Sequence, residues 1–277
     1  MEPLSPSPTR YNLRGRATEH LRGSVQLDFV AKRWGTADKT IFVSQLKITV
    51  SYRERQSQSR DRYLATYDAE EASRYDAWVR ALALEDHTAC LADLEQSFAF
   101  TSGMSVLDTG AGTGALCLTL GQLPGLKITA LEPCSAMRDL LVSKPELSDV
   151  EVVPGFCDSA DDRAIFAAKT FDVIASRMLA NCLFDPIAAF RNWHYWLRSG
   201  GTVIIIDGLF DRADWSGRWQ RVVDTLPLSA CRTVATVPYL LEQTEFRIRF
   251  AGMMQFTNSL PSTRTPRYLV VATKDGG

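Results

Sequence analysis

The middle of the chain alternates between short apolar runs and longer amphipathic segments. From residue 105 onward, runs such as VLDT, KITAL and FDVIAS are each followed by a segment with apolar residues at three- and four-residue intervals. Short apolar runs predict buried strands, and the wider spacing predicts helices that bury one face. This alternation predicts an α/β fold, in which a parallel sheet carries helices on both faces.

The C-terminal segment departs from this alternation. PYLLEQTEF predicts a helix, and RIRFAGMM and PRYLVVATK then predict two strands in succession. Together with the five apolar runs before them, in SVLDTG, KITALEP, VEVVPG, FDVIASR and TVIIIDG, these segments give seven predicted strands.

The N-terminal part has a weaker pattern. Residues 1–23 are rich in proline, serine and arginine and predict a disordered tail. Residues 25–52 fit two strands around a glycine-containing turn, although LDFVAKRW also fits a short helix. The polar run 53–62 fits either a linker or the start of an exposed helix. We divide the chain into a tail and extension, residues 1–62, and a main domain, residues 63–277.

A helical pattern opens the main domain. Apolar residues recur at three- and four-residue intervals from Tyr63 to Phe98. The pattern predicts two amphipathic helices with a break near Glu85–His87.

Composition narrows the class of protein. The chain of 277 residues is 45% hydrophobic, enough for a sizeable core, and its net charge of -1 gives no field that would attract nucleic acid or an anionic membrane. The six cysteines are dispersed, without a C-x-x-C pair or a histidine at ligand spacing, so we expect free thiols and no metal site. The start of the sequence lacks an apolar signal region, and we expect a cytoplasmic protein without a membrane partner.

The stretch VLDTGAGTGALCLTL, residues 106–120, contains the clearest candidate site. Gly110, Gly112 and Gly114 stand between a predicted strand and a predicted helix, where ligands bind in doubly wound sheets. The glycines can be fitted to the dinucleotide template G-x-G-x-x-G/A. However, the carboxylate of Asp108 would repel a pyrophosphate, whereas it can accept hydrogen bonds from a cationic ammonium group.

These segments resemble a known family. VLDTGAGTGAL resembles the first motif of the class I S-adenosylmethionine-dependent methyltransferases, and ITALEP, VVPGFCDS and FDVIASRML resemble the ends of its next three strands in order. DPIAAFRNWHYWLRSGGTVIIIDG is similar to the helix-and-strand signature of the ubiquinone/menaquinone-type small-molecule methyltransferases. The resemblance covers residues 63–273. It implies a doubly wound, Rossmann-like, mostly parallel seven-stranded sheet with an antiparallel last strand, preceded by an N-terminal helical lid.

The resemblance also implies a cofactor, S-adenosyl-L-methionine, with S-adenosyl-L-homocysteine as product. Transferred position by position, the family's cofactor-binding residues are Asp108, Gly110, Gly112, Gly114, Glu132, Pro133, Met137, Asp158, Ser159 and Ser176. Glu132 would accept the ribose hydroxyls and Asp158 would read the adenine amino group, and Met137 would pack on adenine or ribose. Three alternatives stay open: an exposed strand-end carboxylate for Glu132, a helix N-cap for Asp158 and a core position for Met137.

Two residues are candidates for the transfer site. Arg177 ends the fourth predicted strand of the domain and would contact the substrate or the cofactor carboxylate. Tyr67 resembles tyrosines that some relatives place over the site on an N-terminal lid helix, although plain packing explains it equally well. Both are expected to position the reactants and not to act as a base.

The acceptor is expected to be a small molecule. No N/D-P-P-Y/F/W motif follows the fourth strand, which disfavours adenine or glutamine nitrogen in nucleic acid or protein, and no acidic pair stands there as a metal-dependent catechol enzyme would require. The aromatic residues favour an apolar or aromatic acceptor, expected to belong to secondary metabolism, methylated on oxygen, nitrogen or carbon. Residues 1–62 are candidates for a lid or a contact in a homo-oligomer.

Two other classes of function stay open. One is an NAD(P)-dependent oxidoreductase that uses the same glycine loop, and the other is a non-catalytic binding module with a methyltransferase-like fold.

Overall fold

The computed structural model describes residues 26–32, 42–49, 51–82 and 84–275, with side chains from residue 51 onward. The chain divides into two compact units, Met1–Asp61 and Arg62–Gly277. In the first unit, strands β1 (Gln26–Lys32) and β2 (Phe42–Thr49) pair antiparallel. The prediction of two strands is confirmed, while the predicted tail and the turn between the strands lie outside the described residues.

A seven-stranded sheet forms the centre of the second unit. Its strands in chain order are β3 (Ser105–Thr109), β4 (Lys127–Leu131), β5 (Glu151–Val153), β6 (Phe171–Arg177), β7 (Leu197–Gly208), β8 (Phe246–Met253) and β9 (Arg267–Lys274). Across the sheet the order is β5-β4-β3-β6-β7-β9-β8. The strand β9 is antiparallel to both of its neighbours and the other strands share one direction, so the predicted fold class is confirmed.

Helices precede, cover and connect these strands. They are α1 (Tyr52–Thr66), α2 (Ala69–Arg80), α3 (Leu84–Glu95), α4 (Ala115–Leu120), α5 (Ser135–Val142), α6 (Pro186–Trp196), α7 (Gln220–Val223), α8 (Thr236–Glu242) and α9 (Gln255–Ser259). Within the described part of the chain, every helix is too short or too polar to span a bilayer.

The strand β7 illustrates why the sheet is buried on both faces. Val203 and Ile205 pack into a core on one face with Trp193 of α6, whereas Ile204 and Ile206 pack into a second core on the other face. Successive side chains of a strand point to opposite faces, so an uninterrupted aliphatic run requires a covering layer on each side.

The helices before the sheet differ from the sequence prediction. The polar run 53–62 lies within α1, which confirms a helix and not a linker. The break falls between α2 and α3 and not at Glu85–His87. Glu85 and Asp86 occupy the first turn of α3, where carboxylates favour the positive end of the helix dipole, and they therefore start the helix.

Two predicted helices of the sheet region are shorter than expected. The segment ADDRAIFAAK forms a single 3-10 helix, Ala160–Ile165, capped by the Ser159 hydroxyl and the Asp162 carboxylate. The helix predicted up to the double glycine ends at Trp196, and β7 begins at the next residue.

The order of the strands determines where a ligand can bind. The chain leaves β3 towards β4 and β5, and then returns to the other side of β3 as β6. At such a switch point the loops after the two neighbouring strands diverge and open a crevice at the carboxyl end of the sheet. The glycine loop after β3 and the segment after β6 form the two sides of this crevice.

A buried lysine links α2 to the glycine loop. Lys144 is 2% exposed and pairs with the buried carboxylate of Asp76 on α2. Its Nζ also donates to the carbonyl oxygen of Thr113, at 2.7 Å. Burial raises the pKa of Asp76, but the hydrogen bonds from Lys144 and Arg80 outweigh it and hold that pKa below its ordinary value.

We expect the substitution Lys144→Met to destabilise the protein by about 3–5 kcal/mol, because it leaves the buried Asp76 carboxylate without its buried partner. Urea unfolding measures the loss. The double variant Lys144→Met/Asp76→Asn should recover part of it, and Lys127→Met, at an exposed lysine at the start of β4, serves as control. A double variant as unstable as the single one would contradict this reading of the pair.

Candidate functional site

The glycine loop is held in a backbone conformation that side chains disfavour. Gly110, Gly112 and Gly114 have φ angles of 67°, 56° and 94°. A Cβ at Gly110 would lie 2.6 Å from Cδ1 of Leu179, and the Gly110 amide donates to the carbonyl oxygen of Leu131 at 2.8 Å. The loop is therefore fixed to the end of β4 in a backbone conformation that any residue other than glycine would strain.

Asp108 lies beneath this loop near the carboxyl end of β3. Its side chain is buried, and its Oδ2 accepts a hydrogen bond from Sγ of Cys117 at 3.2 Å. The other oxygen, Oδ1, has no hydrogen-bond partner in the described part of the chain. Burial raises the pKa of Asp108 to about 7.

Glu132 follows β4 and faces the glycine loop. Its Oε2 accepts from the amide of Gly112 at 2.9 Å, and its Oε1 accepts from the amide of Cys134 at 2.8 Å. Burial raises the pKa of Glu132 to about 7 although both amides stabilise the carboxylate. Because the side chain is 1% exposed, the alternative of an exposed strand-end carboxylate is wrong.

The residues after β5 are held by α6. Asn192 donates its Nδ2 to the carbonyl oxygens of Cys157 and Ser159, at 2.9 and 2.6 Å. Asp158 is buried and accepts from the amide of Phe184 at 2.9 Å. The N-cap of the following 3-10 helix is Ser159 and not Asp158, so this alternative for Asp158 is also wrong.

The remaining predicted cofactor residues differ in exposure. Ser176 is buried in β6, and its Oγ has no hydrogen-bond partner among the described residues. Pro133 is half-buried, and its carbonyl oxygen accepts from Nη1 of Arg138 at 2.7 Å. Met137 is buried with Ala72 of α2, in a cluster against which Tyr67 and Tyr75 pack. The position of Met137 therefore fits the core alternative.

An aromatic cluster lies over the crevice. We call Tyr63, Tyr67, Tyr75 and Trp219 the aromatic lid. The Tyr67 ring meets those of Trp219, Tyr63 and Tyr75 edge-on, with centroids 5.1, 5.2 and 6.3 Å away. Cε1 of Tyr75 lies 3.6 Å from where a Cβ on Gly112 would stand, so the lid contacts the glycine loop.

Arg177 ends β6 on the other side of the crevice. It is half-buried, and its guanidinium lies over the ring of Trp78, 5.7 Å from the centroid. The ring of Trp78 lies 5.5 Å from that of Tyr75 between centroids, which links Arg177 to the lid. The role of Arg177 at the transfer site stays a prediction.

Several residues of the site were not predicted from the sequence. Lys144, Asn192 and Arg267 each fix or flank a loop of the crevice, but none stands in a recognisable motif. Tyr63 joins the aromatic lid from α1. A signal existed only for Tyr63, which lies four residues before Tyr67 and therefore on the same helical face.

The site fits S-adenosylmethionine better than a dinucleotide. The unpartnered buried oxygens of Asp108 and Ser176 call for a hydrogen-bond donor, which an ammonium group supplies and a pyrophosphate does not. Each carboxylate oxygen of Glu132 has accepted one hydrogen bond and can accept another from a hydroxyl. Among the described residues, no group of His, Cys, Asp or Glu side chains is arranged to hold a metal ion.

We expect Asp108→Asn to change how the stability of the ligand-free protein depends on pH. With a folded pKa of about 7, the wild-type carboxyl keeps its proton between about pH 4 and 7, where the unfolded chain has lost it. The contribution of the Asp108 carboxyl to the free energy of unfolding therefore falls as the pH rises through that range. The variant lacks this loss. The free energy of unfolding of the variant minus that of the wild type should therefore increase by about 3 kcal/mol from pH 4 to pH 7.

Urea unfolding at several pH values measures this difference, with Asp149→Asn, an exposed aspartate, as control. The change of this difference with pH is the decisive quantity, because the amide of the variant alters the free energy of unfolding by an amount that does not depend on pH. A difference between wild type and variant that does not vary between pH 4 and 8 would show that Asp108 ionises normally.

Comparison with known proteins places this site in a family. The sequence profile of the methyltransferase domain matches residues 75–247. The demethylmenaquinone methyltransferase of Chlorobaculum parvum is 25% identical over 107 residues, which are 39% of this chain and 42% of that protein. The match thus spans less than half the length of this curated relative.

Solved structures share the fold. A SAM-dependent methyltransferase from Aquifex aeolicus matches 75% of this chain and 98% of its own, with a TM-score of 0.55 and 19% identity. The [4+2]-cyclase SpnF matches 69% of this chain and 82% of its own, with a TM-score of 0.53 and 14% identity. At these identities the likeness concerns the fold alone.

The family profile covers more than half of the chain. The chain therefore belongs to the methyltransferase-domain family, and its fold is that of the S-adenosylmethionine-dependent methyltransferases.

Proposed function

We propose that this protein transfers the methyl group of S-adenosylmethionine to a small acceptor with an aromatic or apolar body. The observation that carries the proposal is the aromatic lid, which lies against the glycine loop at the carboxyl end of the sheet. Four aromatic rings provide an apolar enclosure of the kind that binds small ligands and keeps water away. The acceptor atom can be oxygen, nitrogen or carbon.

Each end of the crevice has a separate task in this proposal. Asp108 and Ser176 would bind the polar methionine part of the cofactor, and Glu132 would hold the ribose hydroxyls. Asp158, set by its bond from the Phe184 amide, would contact the adenine. When bound, S-adenosylmethionine supplies a methyl group on a positively charged sulfur, which is a good leaving group.

The residues of the lid would align the acceptor and exclude water. In such a displacement, orientation and a dry site provide most of the acceleration that the protein can give. Tyr67 contacts the other three rings of the lid, and Arg177 lies over Trp78, whose ring centroid is 5.5 Å from that of Tyr75. Both residues would therefore position the acceptor. Burial raises the pKa of Tyr63, Tyr67 and Tyr75, so the three hydroxyls stay protonated at neutral pH and would not act as bases.

The rival functions make different demands on the same site. An NAD(P)-dependent oxidoreductase would place a pyrophosphate near Asp108, where the buried carboxylate disfavours it. The fold alone does not specify methyl transfer, since one structural neighbour bears the name of a cyclase. A direct test therefore has to separate cofactor binding from methyl transfer.

We expect S-adenosylhomocysteine to stabilise the protein, and NAD and NADP to leave it unchanged. At about 100 times the dissociation constant the ligand adds about 2.7 kcal/mol, or roughly 5–10 °C in Tm for a domain of this size. Glu132→Ala should lose most of this rise, whereas Glu146→Gln, at an exposed glutamate, should keep it. A rise with NAD or NADP in place of S-adenosylhomocysteine would refute the proposal.

Methyl transfer itself is tested by mass spectrometry. The protein and S-adenosylmethionine are incubated with small aromatic acceptors, and a gain of one methyl group is sought together with S-adenosylhomocysteine. Cofactor binding without any methylated product would favour the binding module or another reaction on the same fold.

A further inference from the structure

Two arginines approach each other at the edge of the crevice. Arg177 ends β6 and lies opposite Ile206 of β7, while Arg267 opens β9 and lies opposite Gly208 of β7. A Cβ on Gly208 would lie 2.6 Å from Nη1 of Arg267, so the arginine side chain passes directly over this glycine. Its Nη1 reaches 2.7 Å from Sδ of Met178, the residue that follows Arg177.

The contact with Met178 occurs in a strained segment. Met178 has a φ angle of 60°, which is unusual for a residue with a long side chain, and its amide donates to the carbonyl oxygen of Ile206 at 2.8 Å. Strain of this kind persists where the surrounding structure fixes it, and it is frequent at ligand sites. Here it accompanies the contact that brings Arg267 beside the end of β6.

Aromatic rings support both guanidinium groups. Arg177 lies over Trp78, and Arg267 lies over Phe210 with 5.9 Å to the ring centroid. Neither arginine forms an ion pair with a carboxylate in the described part of the chain. The two charges are therefore oriented by stacking and left without an anionic partner.

The buried carboxylate of Asp207 is not the anionic partner of either arginine. Its Oδ1 accepts from Nδ2 of Asn181 and from the amide of Gly208, at 2.6 and 2.7 Å, and its Oδ2 accepts from the amide of Asn181 at 3.1 Å. It attracts Arg267 only at longer range. Burial and the positive charge of Arg177 lower the pKa of Arg267, and the attraction of Asp207 offsets this in part.

The field of both arginines reaches the aromatic lid. Burial raises the pKa of Tyr75, and the positive charges of Arg177 and Arg267 oppose that rise. The rings beneath the guanidiniums lead to the same lid. Trp78, under Arg177, lies 5.5 Å from Tyr75 between ring centroids. Phe210, under Arg267, is linked to Trp219 through Trp215, with centroid distances of 5.1 and 5.6 Å. An anion placed between two such guanidiniums would relieve their repulsion and could accept hydrogen bonds from both.

We propose that Arg177 and Arg267 together bind an anionic group, a carboxylate or a phosphate, on the methyl acceptor. The inference rests on the proposed function and makes the acceptor more specific: an aromatic or apolar body in the lid, with one acidic group at the arginine pair. The acceptor atom to be methylated would then lie between this group and the cofactor.

The anion could instead be the carboxylate of the cofactor. The order of the strands favours the acceptor, because β7 separates β9 from β6 and the glycine loop follows β3 on the far side of β6. At roughly 4.8 Å between neighbouring strands, β9 lies about 14 Å from β3. Arg267 therefore approaches from the side opposite the glycine loop.

The test uses the full chain saturated with S-adenosylhomocysteine. It is titrated calorimetrically with inorganic phosphate, with phenyl phosphate against phenol, and with 4-hydroxybenzoate against its methyl ester. We expect at least one anionic probe to bind at least tenfold more tightly than its neutral counterpart. Arg267→Gln should weaken that binding about tenfold to hundredfold, as expected for loss of a hydrogen bond between charged groups.

The control variant is Arg247→Gln, which removes an exposed arginine of β8 and makes the same change in net charge. It should leave binding of the anionic probes unchanged, and the affinity of Arg267→Gln for S-adenosylhomocysteine should equal that of the wild type. That unchanged affinity also shows that the variant is folded.

Three results would overturn the inference. In the first, no anionic probe binds the saturated wild-type protein better than its neutral counterpart. In the second, Arg267→Gln loses affinity for S-adenosylhomocysteine and keeps its affinity for the anions, which would assign the pair to the cofactor carboxylate. In the third, the wild type fails to bind S-adenosylhomocysteine, which would reject the proposed function and with it the assignment of the anion to a methyl acceptor.

Discussion

The ammonium group of Lys144 is the point on which the arrangement of the site depends. It is buried between α2 and the glycine loop, where it binds the carboxylate of Asp76 and the carbonyl oxygen of Thr113. A buried charge is tolerated only where paired and hydrogen-bonded, so these elements cannot separate without a large cost in free energy. The same helix carries Tyr75, whose ring lies against Gly112. One interaction thus fixes both the floor of the crevice and part of its cover.

Charges of opposite sign are distributed to opposite ends of this crevice. Two buried carboxylates, Asp108 and Glu132, stand beside the glycine loop, and burial raises the pKa of both to about 7. Two guanidiniums, Arg177 and Arg267, stand on the other side, each stacked on an aromatic ring. Each end therefore carries groups whose charged form the protein stabilises incompletely, and each favours a ligand group of the opposite sign. This asymmetry gives a bound pair of ligands a defined direction across the sheet.

The sequence predicted those features that depend on neighbouring residues. The alternation of strands and helices and the glycine loop are local patterns, and the structure contains them where they were expected. The burial of Lys144 and the reach of Arg267 were not predictable, because their partners Asp76 and Met178 lie far away along the chain. The break before α3 was misplaced because Glu85 and Asp86 look like polar interruptions, yet they stabilise the start of that helix. Periodicity and motifs are local patterns, and they do not predict contacts between segments that are far apart in the sequence.

The missing side chain of Gly208 has a consequence for the evolution of this family. A methyl group at that position would lie 2.6 Å from Nη1 of Arg267 and 2.8 Å from Cε2 of Phe210, so these side chains would have to move to admit a larger residue. A lineage that replaces this glycine would therefore shift the stack of Arg267 on Phe210. Covariation of position 208 with positions 210 and 267 among homologous chains would therefore mark the lineages that keep this stack, even where the glycine loop is common to all.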